Sequence, residues 1–338
     1  MLNKAFLAAL LILPLLLPAR AERWGFVDTT GAIKVKPRFD RVEDFSEGRA
    51  IVNLGDYTGW VNGLDSAHVS TLITRHRSFH EGLAAVQLDT IWVYADTAGK
   101  SVLGPWKDLL EDFHEGRAIA WVNGKAGFVD GTGKLIIPAQ YGTAGDFSEG
   151  LARVDTVTAR NQWGRPKGAA NGYIDAVGRF AIAPVFTWAG NFACGRAWIR
   201  QADTFCYVDR SGRIIPGLVS EENRDFHEGL VALCRRGAWG YADTLGRIVA
   251  ALSRDKALDY SEGRAAVFSQ GAWSYLDRTG ATVLRVPYAQ AGSFHDGRAL
   301  VMQGGSYGYI NRAGELVIPF QYLDARDFRE GRAAVCVP

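Results

Sequence analysis

The sequence predicts an all-β protein, a tandem array of about nine three-stranded units with a period of 34 residues. Three observations carry that prediction. A corner tetrapeptide of aromatic, variable residue, acid and glycine recurs nine times, opening at Phe45, Phe79, Phe113, Phe147, Phe192, Phe226, Tyr260, Phe294 and Phe328. Successive copies lie 34 residues apart, except for 45 between the fourth and fifth. A second landmark, Asp or Asn with glycine three residues on, keeps the same register at Asp28, Asp96, Asp130, Asp175, Asp209, Asp243, Asp277 and Asn311. Finally, no stretch sustains a helical period over ten residues.

The first 21 residues read as a secretory signal and not as structure. Lys4 supplies a positive start, residues 5–17 are apolar but short for a bilayer span, and Ala19-Arg20-Ala21 has the small-x-small form of a cleavage site. Residues 22–338 are then one repeat domain, exported to the periplasm, the cell envelope or the exterior, with no membrane-spanning segment. The leader carries Lys4 and Arg20 and no acid, so the 38 basic and 36 acidic residues of the whole chain become 36 of each. A neutral chain with interspersed signs lacks the basic footprint that phosphate neutralisation demands, which argues against a nucleic-acid partner. At 48% hydrophobic and 22% charged residues the chain is too apolar for disorder.

Within each unit the first strand leads into the Asp-x-x-Gly turn, as in Trp24-Gly25-Phe26-Val27 and Trp239-Gly240-Tyr241-Ala242. Aromatics two apart share one face of a strand, and a glycine between them lets another backbone approach closely. The turn follows because Asp bonds backbone two residues on and glycine takes positive φ at low cost. A second strand ends near proline, as at Pro37, Pro138, Pro184 and Pro319, and the corner leads into a third, such as Arg49-Ala50-Ile51-Val52 or Arg332-Ala333-Ala334-Val335.

Trp-Gly, an aromatic and an aliphatic residue, Asp-x-x-Gly, a proline and Phe-Ser-Glu-Gly-x-Ala-x-Val together resemble the bacterial WG repeat family over essentially the whole of residues 22–338. The resemblance implies a tandem interaction array and transfers no catalytic residue. The local departures are Thr58-Gly59, Ala126-Gly127, Asn171-Gly172 and Phe205-Cys206 in place of Trp-Gly, and Cys194 in place of the corner acid.

One such unit cannot bury a face alone, so neighbours must stack and share a core. The expected arrangement is an open, curved, solenoid-like array, because nine units is a high number for a ring and three strands is thin for a propeller blade. A closed, propeller-like ring is the alternative: the first and last strands of the chain are of the kinds that pair as hairpin partners inside the array.

The chemical motifs are absorbed by the repeat. Gly304-Gly305-Ser306-Tyr307-Gly308 has the form of a nucleophile elbow, but Tyr307-Gly308 occupies the Trp-Gly slot and no helix follows. Gly99-Lys100-Ser101 lacks the earlier glycine of a phosphate loop, since position 94 is Tyr94. His80, His114, His227 and His295 share a corner slot that also takes Ser46, Ala193 and Arg329, which marks an exposed variable position and not a zinc ligand set. The corner acids Glu47, Glu81, Glu115, Glu149, Glu228, Glu262, Asp296 and Glu330 are equivalent, as structural groups are, whereas a glycosidase needs two unlike carboxylates. The sequence therefore assigns no catalytic, cofactor or metal site.

Two features remain. Residues 157–167 interrupt the period, and insertions in repeat proteins map to loops on one face, so Arg160, Trp163, Arg165 and Lys167 are the candidate partner-binding residues. In an oxidising compartment one disulfide is expected among the clustered cysteines, between Cys194 and Cys206. The function expected is a non-catalytic exported binding module for a protein or an envelope glycan, the alternative being an architectural envelope protein without a discrete ligand.

Overall fold

In the computed structural model, which describes residues 22–65, 67–70, 73–160 and 166–338, the chain closes into a ring of nine antiparallel sheets, a β-propeller. The open array expected from the sequence is therefore corrected to the closed alternative. Arg23–Asp28 pairs with Arg332–Val337 over six consecutive positions, from Arg23 opposite Val337 to Asp28 opposite Arg332, so both ends of the array lie in one sheet. We number the blades 1 to 8 from Arg41 onward and call the sheet shared by the two ends blade 9.

The strand count is also corrected. Among the described residues seven blades have four strands and two have three. The additional strand, here strand a, is the short segment before each corner, such as Leu110–His114 in blade 3. Strand b follows the corner (Arg117–Val122), strand c carries the aromatic-glycine pair (Lys125–Asp130) and strand d follows the Asp turn (Leu135–Tyr141). A sequence unit that begins at strand c thus straddles two blades. That offset leaves strand c at the start of the chain and strand b at its end free to complete one another.

The corner is a two-residue hairpin. Its acid and glycine both take positive φ, +51° at Glu47 and +73° at Gly48, as a type I′ turn requires. Holding a glutamate in that region costs about 1–2 kcal/mol. The carboxylate offsets this by reaching the next blade: Glu47, Glu81, Glu115, Glu149, Glu228, Glu262 and Asp296 each accept a hydrogen bond from the corner glycine N–H of the following blade, at 2.7–3.0 Å. Glu330 accepts from the amides of Glu47 and Gly48 at 2.7 Å and carries the belt across the chain termini. In a ring, the distance between equivalent groups of neighbouring blades grows with radius. Side chains bridge equivalents here because the corners sit nearest the axis, with strand d outermost and correspondingly exposed.

The core lies between blades. Phe26 meets Phe45 of the next blade at 4.8 Å between ring centroids, and the same pairing of a strand c aromatic with the next corner aromatic recurs at 4.8–5.5 Å through Tyr309 and Phe328. Six of the strand c rings are tyrosines whose hydroxyls donate to a backbone carbonyl 17 residues on, as Tyr275 does to Gly292 at 2.9 Å.

Glycine beside the strand c aromatic has the expected cause. A Cβ at Gly308 would sit 2.6 Å from the Ile318 carbonyl oxygen, where strand d bulges next to Pro319. At Ser274 the pairing runs from Trp273 through Tyr275 without a bulge, so a side chain fits.

Two predictions follow from this frame. Gly308→Ala lowers stability by about 1–3 kcal/mol in urea unfolding, whereas Ser274→Ala changes it by less than about 0.5 kcal/mol; equal losses would refute the bulge argument. Cys194 takes the corner acid's place with φ +52° and leaves the Gly229 N–H without its carboxylate. Cys194→Glu is therefore expected to raise the urea midpoint, by about 1 kcal/mol of stability, and an unchanged or lower midpoint would show that the belt contributes nothing there.

Candidate functional site

The four or five residues ahead of each corner aromatic carry no strand in the three-strand unit that the sequence predicts. In the ring they form strand a and the approach to it, and they line clefts between neighbouring blades. Among the described residues clefts recur at this position, and three of them lie at the end of the blades where strands b and c turn. One of about 600 Å³ runs from blade 1 to blade 3 and is charged, with Glu43, Arg75, Arg77 and Asp112. Another of about 560 Å³ in blades 7 to 9 is apolar, with Leu258, Phe268, Trp273 and Met302. The third, about 490 Å³, lies between blades 4 and 5 and reaches the edge of blade 6. All fall in the range of small-molecule sites, about 300–1,000 Å³. The frame is constant and the lining varies.

The third cleft is where the repeat departs furthest from its pattern. Asn171 stands in the slot that holds tryptophan in Trp24-Gly25 and Trp239-Gly240, and it is buried. Arg153 stands on strand b opposite Tyr173, at a phase otherwise filled by Ile51, Ala85, Ile119, Trp198, Ala232, Ala266, Leu300 and Ala334. The two substitutions form a unit. Arg153 Nη1 donates to Asn171 Oδ1 at 2.8 Å and to Thr143 Oγ1 at 3.4 Å, while Asn171 Nδ2 donates to the Thr187 carbonyl at 2.9 Å. Burial pushes the Arg153 guanidinium below its ordinary value, Asp155 and Asp146 acting from a distance in the opposite sense. No carboxylate among the described residues comes within ion-pair range of it. Trp188, 61% exposed, and Trp198 supply aromatic surface, and Asn191, Asn223 and Asp225 supply polar groups. Burial also raises the Asp225 carboxyl above its usual range, with the Trp198 side chain hydrogen-bonded to it.

Of the residues singled out in the sequence, Arg160 ends strand b of blade 4, Leu151–Arg160, and lies opposite Pro166. Lys167 lies on strand c, Pro166–Ile174. Trp163 and Arg165 fall outside the described residues, as does the leader 1–21. The described part of the insertion thus lengthens the hairpin of blade 4. Beyond Asn171 the paired strands run on through Ala170, Ala169, Gly168 and Pro166, a projection of about 15 Å. It rises from the lip of the polar cleft, because Asn171 and its partner Asp155 are the last paired residues before the extension. The disulfide expectation is corrected: Cys194, Cys206, Cys234 and Cys336 are all free. Cys194 lies at the corner with its Sγ toward the Phe226 carbonyl of the next blade, whereas Cys206 is buried in strand c with its Sγ toward Gln201.

The corner histidines are structural neighbours of a second set of acids that the sequence analysis passed over, those just before the corner aromatic. His80, His114, His227 and His295 face Asp112, Asp146, Asp259 and Asp327 of the following blade at 3.6–3.8 Å. The His80 and His114 rings stand 5.0 Å apart, close enough to stack as adjacent copies. Ser306 opens strand c of blade 8 within a hairpin, and Gly99 is a turn glycine packed on Trp60. Asp112 is the most enclosed of the second set for which an ion pair is formed, its Oδ1 buried without a hydrogen bond. Desolvation raises its carboxyl above the ordinary value against the pull of Arg77, His80 and His114.

A carboxyl whose folded value lies above its unfolded one opposes folding once it ionises. The cost is absent below the unfolded value, near pH 4, grows as pH rises through the folded one, and is fully present above it. Asp112→Asn should therefore raise the melting temperature at pH 7 and lose that advantage below pH ~3.5. A gain that persists or grows in acid, read from melting curves across pH, would reverse the sign.

The repeat described as WG containing repeat matches residues 24–57, 127–155, 172–205, 239–271, 273–307 and 307–337. No curated protein sequence matches the chain. Among solved structures, a eukaryotic initiation factor is similar at TM-score 0.59 and 9% identity, over 88% of this chain and 95% of that one, which is a likeness of fold alone. AztD from Citrobacter koseri is similar at TM-score 0.38 and 12% identity, over 94% and 98% of the two chains. PorZ, a surface component of the type-IX secretion system of Porphyromonas gingivalis, is similar at TM-score 0.36 and 10% identity, over 81% of this chain and 44% of that one. With the six matches spanning more than half of its length, this chain belongs to the family of WG containing repeat proteins.

Proposed function

We propose that this protein is an exported, non-catalytic binding propeller that engages a component of the cell envelope through its clefted face. One observation carries the reading. The carboxylates of the corner belt are committed to holding blades together, while the residues before each corner vary freely and line separate clefts. A scaffold that fixes its frame with repeated bonds and varies only the lining is suited to recognition, as loops on other rigid scaffolds are. The leader at 1–21 supports export, and the lengthened hairpin of blade 4 supplies a projection beside one cleft, with Arg160 and Lys167 on its strands.

The test is retention of envelope material. Immobilised protein should hold a defined component of a solubilised envelope fraction, and deletion of residues 157–167 should weaken that retention without changing the melting temperature. A protein that retains nothing from the fraction, or only what an unrelated propeller retains, is architectural and the reading fails.

A further inference from the structure

We propose that the cleft between blades 4 and 5 binds a saccharide unit bearing a carboxylate, with the carboxylate on Arg153 and the sugar ring on Trp188. This rests on the binding reading above and names the ligand class.

The first observation is a charge without a counter-charge. A guanidinium carries five N–H donors in a fixed fork that matches a carboxylate two bonds at a time. At Arg153 the structure fills two acceptor positions, both neutral, Asn171 Oδ1 and Thr143 Oγ1. Partly buried cations are costly to leave unpaired. At this strand b phase a guanidinium stands in one blade of nine, and the side chain lines a cleft large enough for a ligand. Asn171 is the device that aims it: its amide is anchored to the Thr187 carbonyl and its oxygen holds Nη1. A bound carboxylate would take the remaining donors.

The second observation is the rest of the lining, which is more than an anion needs. The amides of Asn191 and Asn223 make no hydrogen bond among the described residues, and each can donate and accept. Asp225 accepts from Trp198 and lines the cleft. These groups suit hydroxyls, which donate to a carboxylate and exchange bonds with amides. Trp188 presents an indole face beside them, 61% exposed, the largest aromatic surface exposed in the described chain. A pyranose ring has both parts, an apolar C–H face for the indole and a rim of hydroxyls for the amides. An acidic peptide is disfavoured by the same residues, because one cation faces it and Asp225 repels its further charges.

Isothermal titration of the purified protein decides between these ligands, using trisaccharides of galacturonic acid and of glucuronic acid, the galactose trisaccharide, and a triglutamate peptide. At least one acidic trisaccharide should bind, with the neutral sugar at least about tenfold weaker, the ratio one charge-assisted pair supplies. Arg153→Met should abolish that preference, and Trp188→Ala, at an exposed position, should weaken both sugars alike while melting as the parent does. Neutral and acidic sugars binding equally, triglutamate binding more tightly than either acidic sugar, or Arg153→Met leaving the preference intact would each overturn the proposal. Failure to bind either acidic trisaccharide while envelope material is still retained overturns this site alone. Loss of both removes the wider reading with it.

Discussion

Everything in this fold depends on a blade being unable to bury its own aromatic ring. A strand c aromatic such as Tyr275 is fully buried only because Phe294 of the next blade closes over it, and Tyr309 in turn requires Phe328. Each pair adds about 0.5–1.5 kcal/mol beyond the apolar area it removes from water. The tyrosine hydroxyl, now inside an apolar junction, must find an acceptor, and the carbonyl 17 residues on provides it across the same boundary. In an open array the terminal blades would each leave one ring uncovered. Closure removes both ends at once, with Phe26 meeting Phe45 in the same way as every internal pair. The aromatic junctions therefore favour the ring, and the strand pairing of Arg23–Asp28 with Arg332–Val337 supplies the backbone bonds that complete it.

The period, the turns and the corners were legible in the sequence because each is fixed by local chemistry. Asp28 accepts from the amides of Thr30 and Ala32 in its own turn, and at Asp209 the equivalent bonds, led by the Ser211 hydroxyl, pull the carboxyl down to about 2. The role of the corner acids as structural groups was legible too, although their partner is the next corner's glycine amide. Closure was harder to read, because a sequence unit beginning at Trp24 suggests three strands where the blade has four. Strand a has no signature of its own: Lys256–Ala257 and Asp324–Ala325 are two residues long and are defined by their pairing with strand b. A segment held by a neighbour's backbone and not by its own pattern leaves little trace in composition.

The clefts were illegible for the same reason, being lined by strand a and its approach. The polar one did leave a mark. Asn171 breaks the Trp-Gly slot and is visible as a departure, but an Asn there reads as one more substitution beside Thr58 and Ala126 until Arg153 is set opposite Tyr173 by the strand register. Only alignment by phase shows that Arg153 is the sole charged residue at its position in nine copies. The insertion lies in the blade that carries this cleft: its strands extend an existing hairpin and the cleft lies at the base.

Departures from a repeat carry information through their distribution. Where tryptophan is replaced at Thr58 or Ala126 the substitute is small and uncharged, and the junction aromatics Trp60 and Phe128 remain paired as elsewhere. Between blades 4 and 6 the departures are of another kind: a buried amide at Asn171, an unpaired cation at Arg153, a lengthened hairpin, and a corner acid lost at Cys194. Each of these lowers the stability that other copies secure with tryptophan, an aliphatic residue, a short turn or a carboxylate. Random drift would scatter such changes around a ring whose nine positions are structurally equivalent. Their concentration in one sector is what the binding proposed for that cleft would leave, a contact made there offsetting costs incurred there.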